Sequence, residues 1–287
     1  KKKMGKSVFG TERYFKLVEE TESEVIISRG FIGKIIRFCR ENKIEYDFKD
    51  ERRKLKEVSF LFNAQLLGHQ QIVINAIEKK DLGIIVAPPG SGKTIVGLKI
   101  IADKKQPALI ITHRKQIADQ WIERIETFLG IPKNEIGKIG QGKTKIGKQI
   151  TVAMIQSLSK ELEKPDTGKI LNAFGTIIVD ECHHIPAETF RNAISKLQTF
   201  YLYGLTATPF RKYNDSKLIF IHLGEVIAEI KSNEISTSKR PKIIIRNTEL
   251  DVPFNSKTDK FETLSKILVH DSSRNKSILG DVINELQ

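Results

Sequence analysis

Between residues 82 and 206 short apolar runs alternate with longer stretches of helical period. The runs at 82–87, 107–112, 149–155, 175–180 and 201–206 each hold four to seven residues fit for a buried strand. Helical stretches follow at 93–105, 114–130 and 187–198, with a mixed helical stretch after 155. Strands that alternate with helical crossovers predict a parallel sheet covered on both faces. In such sheets ligands gather at the carboxyl ends of the strands, so chemistry is expected there.

The flanks follow other patterns. Residues 23–42 predict a strand and then a helix whose apolar members are Phe31, Ile35, Ile36 and Phe38. Residues 43–60 predict a further strand and a charged turn, which makes 1–62 a small α+β domain. Residues 63–230 are expected to form the lobe that carries the sheet, and the sheet rhythm lapses after 224. The segment 231–241 is polar and turn-rich, 242–247 predicts one more strand, and 271–287 has the spacing of a helix. Residues 231–287 are therefore expected to be a linker and the beginning of a further lobe.

Charge narrows the class. Of the 287 residues 29% are charged, and the net charge of +13 points to a polyanionic partner such as nucleic acid. Cys39 and Cys182 lie far apart and form no disulfide framework, which predicts a reducing, cytoplasmic setting. No apolar run approaches the ~20 residues of a membrane-spanning helix. The start, KKKMGKSVFG, lacks an apolar signal segment and reads as a solvated tail or an internal cut in a longer protein.

The sharpest chemical signal is LGIIVAPPGSGKTIVGLKII. A strand ends, a loop of Pro89, Gly90, Ser91 and Gly92 follows, and Lys93-Thr94 opens a helix. Glycines allow positive φ and close backbone approach, so successive N–H groups can face a phosphate at the helix N-terminus. Lys93 can reach the β- and γ-phosphates, and the Thr94 hydroxyl can bind Mg²⁺. Ala87 holds the place where the general pattern begins with glycine.

A second strand, TIIVD, ends in the acids Asp180 and Glu181. Asp180 can hold Mg²⁺, a hard cation that takes oxygen ligands. Glu181 can orient and deprotonate an attacking water. Zinc at Cys182, His183 and His184 is the competing reading, but adjacent side chains do not easily converge on one ion and no C-x₂-C or H-x₃-H spacing accompanies them. His184 reads as a polar packing residue.

PPGSGKT, DECHH and GLTATPFR, in this order and rough spacing, resemble motifs I, II and III of the superfamily-two helicases and translocases over residues 60–230. The likeness is nearest to DNA-repair helicases of the XPB type and to the translocating subunits of restriction systems. It implies a RecA-like lobe that binds ATP and Mg²⁺ and acts on DNA, with RNA as an alternative substrate. It implies that Gln70 recognises adenine, although Leu67 and Gly68 stand where relatives often carry arginine. It places nucleic-acid contacts at Thr112, His113 and Arg114 (motif Ia), at Gly142 and Lys143 in a loop over 139–145, at Gln156 and Ser157, and at Arg211. It makes His183, with the hydroxyls of Thr206 and Thr208, the coupling residues between nucleotide and nucleic acid. The Arg-Glu-Asp element that follows motif III in XPB-type enzymes is missing, since Lys212 and Tyr213 follow Arg211. Ile117, Trp121 and Ile125 form a stripe of helical spacing that predicts core packing, not a stacking platform.

SRGF (28–31) with Asp50, Arg52 and Arg53 resembles the damage-recognition-like domain of that branch, and a generic small module remains the alternative. The family completes its site with arginines from a second lobe, so the chain is expected to be part of a longer protein and to hydrolyse nucleotide poorly alone. A nucleotide-gated binding switch without a motor cycle is the rival from another class.

Overall fold

The computed structural model describes residues 18–50, 52, 54–185, 188–208, 216–231, 245 and 261–286. The chain divides into two compact units, 1–236 and 237–287.

In the first unit, β1 (Val18–Glu20) and β2 (Val25–Ile27) pair antiparallel. A 3₁₀ turn at Arg29–Phe31 leads into α1 (Ile32–Glu41). The order then runs α2 (Gly68–Ile77), β3 (Leu82–Val86), α3 (Lys93–Lys104), β4 (Ala108–Thr112), α4 (Lys115–Leu129), β5 (Gly137–Gly140), β6 (Lys143–Lys145) and β7 (Ile150–Met154). It continues with α5 (Ile155–Glu161), α6 (Gly168–Leu171), β8 (Thr176–Asp180), α7 (Glu188–Lys196), β9 (Tyr201–Thr206), α8 (Ser216–Leu223) and β10 (Val226–Glu229).

These strands form one sheet in the order β10-β3-β9-β8-β4-β7-β5-β6, and every neighbouring pair is parallel except β5 with β6. Alternate residues of each central strand enter opposite layers, because side chains in a strand alternate sides. Ile85, Ile110, Ile178 and Tyr203 join the layer under α2, α3 and α4. Ile84, Leu109, Ile177 and Leu202 join the layer under α5, α7 and α8. The doubly covered parallel sheet expected from the sequence is the one observed.

Two places differ from the expectation, and a third lies outside the described residues. Residues 44–50 and 54–67 contain no strand. The latter stretch is an extended strap, with Phe60, Phe62 and Leu66 packed on the first core layer. Val58 N–H donates to Lys105 O (3.0 Å), Asn63 N–H to Phe128 O (2.8 Å), and Gln149 Nε2 to Ser59 O (2.6 Å). An apolar pattern there is satisfied by packing on the lobe rather than by a sheet of its own. Residues 137–145 form a hairpin, not a loop. Gln141 (φ 55°) and Gly142 (φ 74°) are both left-handed, as a two-residue type I′ turn requires. The strand expected at 242–247 lies outside the described residues apart from Ile245.

The N-terminal segment docks on the lobe within the same unit. Arg29 donates to the carbonyls of Thr199 (2.8 Å) and Phe200 (3.2 Å). A Cβ on Gly30 would lie 2.5 Å from Gly224 N, Ile221 O and Phe220 O, so only glycine fits against the end of α8. Arg52 pairs with Asp50 and Asp81, while Arg53 lies outside the described residues. In the second unit, α9 (Phe261–His270) is followed by α10 (Ser272–Leu286), and Asp271 Oδ1 accepts the Arg274 N–H (3.0 Å) at the start of α10. None of the described helices is long and apolar enough to cross a membrane.

Candidate functional site

The loop after β3 is closed by its own backbone. Ala87 N–H extends the β3–β9 ladder to Thr206 O (2.8 Å), and both the N–H (3.2 Å) and the hydroxyl (2.7 Å) of Ser91 donate to Pro88 O. Gly90 (φ 79°) and Gly92 (φ 80°) hold the left-handed conformations that their lack of a side chain permits. Gly92 caps α3, whose first turn begins with Lys93 and Thr94.

Gln70 braces this loop from α2. Its Oε1 accepts the Leu67 N–H (3.0 Å), and its Nε2 donates to Ser91 O (3.0 Å). The side chain is buried at 4% exposure, and a Cβ on Gly92 would lie 2.3 Å from its Nε2. His69 Nε2 also meets Ser91 O, at 3.1 Å. The amide assigned to adenine is thus engaged by the phosphate-loop backbone, with one N–H and one lone pair left over.

Asp180 ends β8 at 8% exposure. Its Oδ1 accepts the Glu181 N–H (2.9 Å) and its Oδ2 accepts Trp121 Nε1–H (2.7 Å). Burial raises its proton affinity above the ordinary carboxylate value, and the indole bond opposes that rise. Glu181 follows in a left-handed conformation (φ 49°), rare for a residue with a side chain. Its Oε1 pairs with Lys93 Nζ at 3.0 Å and its Oε2 with His183 Nδ1 at 3.1 Å. These partners, His183 first, hold its carboxyl down at about 2.

His183 Nδ1 also lies 3.0 Å from Thr206 Oγ1. That hydroxyl donates to Thr208 O (3.3 Å) and accepts the Thr208 N–H (3.2 Å). Thr208 therefore joins through its backbone rather than through the hydroxyl expected from the sequence. His184 stands between His113 and His183, with ring centroids 4.2 and 4.3 Å away. Cys182 is buried, and its Sγ would lie 2.8 Å from a Cβ on Gly204. Burial pushes its thiol far above the ordinary value, and the side chain packs in the second core layer.

Along the strand ends on the other side, Arg114 caps α4 with extended backbone. Gln156 lies in the first turn of α5 and its Nε2 reaches toward His113 O at 3.5 Å, with Ser157 next to it. The His113 Nδ1 is buried with no partner among the described residues, and burial lowers the pKa of that imidazole. Thr112 is fully buried, its hydroxyl turned to Ala153 O, so its side chain does not reach the surface. Lys143 lies exposed on the edge strand β6, beside Gly142 at the hairpin tip. Arg211 lies outside the described residues. Two contributors escaped the sequence reading, His69 and Trp121. The helical stripe placed Trp121 in the core, where it is 1% exposed, but spacing carries no sign of a bond to a residue 59 positions away.

Comparison with known proteins agrees with this geometry. Residues 63–211 match the family described as type III restriction enzyme, res subunit. The DNA 3'-5' translocase XPB2 of Sulfurisphaera tokodaii is 31% identical over 71% of this chain and 44% of its own length. The DNA 3'-5' helicase XPB of Mycobacterium tuberculosis is 29% identical over 56% of this chain and 29% of its own. The chain thus spans less than half the length of either relative. The UvsW helicase of bacteriophage T4 shares the fold, with a TM-score of 0.54 at 19% identity over 72% of this chain and 80% of that one. With a strand-capped phosphate loop facing an acid pair across the sheet, and with this match over the RecA-like lobe, the chain belongs to the res-subunit family of superfamily-two helicases and translocases.

Proposed function

We propose that the chain is the ATP-binding lobe of a nucleic-acid-dependent ATPase that moves along or unwinds DNA. The observation that carries this reading is the 3.0 Å contact between Lys93 Nζ and Glu181 Oε1. β9 separates β3 from β8 in the sheet, yet the loop after β3 and the acids after β8 meet over its end. Phosphate fits the loop, because Gly90 and Gly92 turn its backbone through left-handed conformations where N–H groups can converge. Mg²⁺ fits the oxygen donors Asp180 and Thr94, since each Asp180 oxygen keeps a lone pair beyond its single hydrogen bond. When bound, the cation offsets charge on the phosphate oxygens.

The chain's own groups then divide the work. Lys93 and the loop amides hold the terminal phosphates. Glu181 orients a water and accepts its proton as the water oxygen bonds to phosphorus and ADP leaves. Held at about 2 by His183 and Lys93, Glu181 is a weak base. A phosphate that draws Lys93 to itself removes one of those partners and raises the proton affinity of Glu181. His183 bridges Glu181 and Thr206, which ties the hydrolytic site to the end of β9. Arg114, Lys143, Gln156 and Ser157, aligned at the ends of β4, β6 and β7, are the proposed backbone contacts to nucleic acid. A net charge of +13 favours such contacts and makes them salt-dependent.

ATPase assays of the full-length protein with and without DNA test the reading, with RNA as competitor. Stimulation by DNA is expected, and preference for RNA would reassign the substrate. Glu181→Gln is expected to cut turnover by about 10²-fold or more while sparing ATP binding. Indifference to both nucleic acids would refute the motor.

A further inference from the structure

Trp121 is the chain's single tryptophan. It stands on the face of α4 turned toward the sheet, in one buried cluster with residues of α3 and β9. A Cβ on Gly97 of α3 would lie 2.7 Å from its Cη2 and 3.1 Å from Leu205 Cδ1 of β9. From β8, Asp180 Oδ2 accepts its Nε1–H at 2.7 Å. A buried indole N–H requires an acceptor. Here the acceptor is a carboxylate whose other oxygen is held by the Glu181 N–H. Two donors from two elements therefore fix the plane of this carboxylate, and neither Asp180 oxygen is free to rotate away.

We infer that Trp121 is a positioning residue for the cation. Its indole N–H sets the Asp180 carboxylate in the orientation that receives Mg²⁺, and Gly97 makes room for the ring to do so. The inference rests on the assignment of Asp180 to Mg²⁺ under the proposed function. Donors behind a metal ligand orient it and tune its basicity, and their loss typically weakens metal binding 10- to 100-fold. Volume alone would be met by phenylalanine.

Nuclear magnetic resonance of the 287-residue chain gives a direct readout, because its one tryptophan yields one indole N–H signal. Asp180→Asn is expected to move that signal. Mg²⁺ added with ATPγS is expected to move it too, whereas ATPγS with a chelator leaves it in place. Calorimetry gives the second readout. Trp121→Phe, checked for folding by its melting transition, is expected to raise the Mg²⁺ concentration needed for ATPγS binding about 10-fold. Its metal-free ATPγS affinity should be unchanged. Gly97→Ala keeps the N–H but displaces the ring, and a smaller rise is expected; it replaces Trp121→Phe should that variant not fold. An indole signal indifferent to Asp180→Asn, or a folded Trp121→Phe chain with unaltered Mg²⁺ dependence, would overturn the role of Trp121 alone. Failure of the unaltered chain to bind Mg²⁺ with ATPγS would overturn the site itself.

Discussion

Glu181 combines two unfavourable features at one position. Its backbone is left-handed, which costs on the order of 1 kcal/mol or more for a residue with a Cβ, and its carboxylate is half-buried. The conformation turns the side chain off the strand toward Lys93 and His183, so strain and ion pairing act together. Gln70 shows the same economy of contacts, because one amide holds both its own helix entry and the Ser91 carbonyl. Gln70→Ala removes a brace from the phosphate loop, and a neutral hydrogen bond contributes about 1 kcal/mol. Nucleotide affinity is therefore expected to fall roughly fivefold, equally for ATP and GTP, in a calorimetric titration. A loss confined to ATP would show instead that the remaining N–H and lone pair read adenine.

Elements rather than residues decide how the N-terminal segment sits. The turn at Arg29–Phe31 meets the end of α8 without room for a side chain at Gly30, and Arg29 buries its guanidinium over two carbonyls. That burial lowers the Arg29 pKa to about 10, despite nearby Asp81 and Asp50. Gly30→Val is expected to undock the turn and cost roughly 1–3 kcal/mol. Hydrogen exchange should quicken across β2 and α1 while β3, β8 and β9 stay protected; unchanged protection of α1 would refute the docking. The same scale explains what the sequence could reveal. β3, β4, β7, β8 and β9 were legible because strands buried on both faces are continuous apolar runs. β5 was not, because Gly137-Lys138-Ile139-Gly140 offers one large apolar side chain and the pairing is set by the turn at Gln141-Gly142. The phosphate loop and acid pair were legible because their spacing is local. The bonds of Trp121 and Gln70 were not, since each joins elements that only the folded sheet brings together.

For the molecule as a whole, two of the described groups contribute to the response to acid in successive windows. His222 on α8 is buried, its Nε2 has no partner among the described residues, and burial with the nearby charge of Arg191 lowers its pKa to about 4. The unfolded chain binds a proton there near pH 6.5, and the folded chain refuses it until about 4. Between those values the unfolded state holds more protons, so stability falls as pH falls. The shift corresponds to about 3 kcal/mol, complete by pH 4 and absent above 6.5. Glu181 acts in the next window. Its folded pKa of about 2 lies below its ordinary value of 4.5, so the stability it confers is full above 4.5 and is lost as pH falls toward 2. Urea unfolding at a series of pH values separates them. The unaltered chain should lose stability first between pH 6.5 and 4, and His222→Leu should flatten that window alone, leaving the decline below 4.5 in place. A decline between 6.5 and 4 that survives His222→Leu would assign it to another group, with His113, the other imidazole whose pKa burial lowers, as the next to substitute.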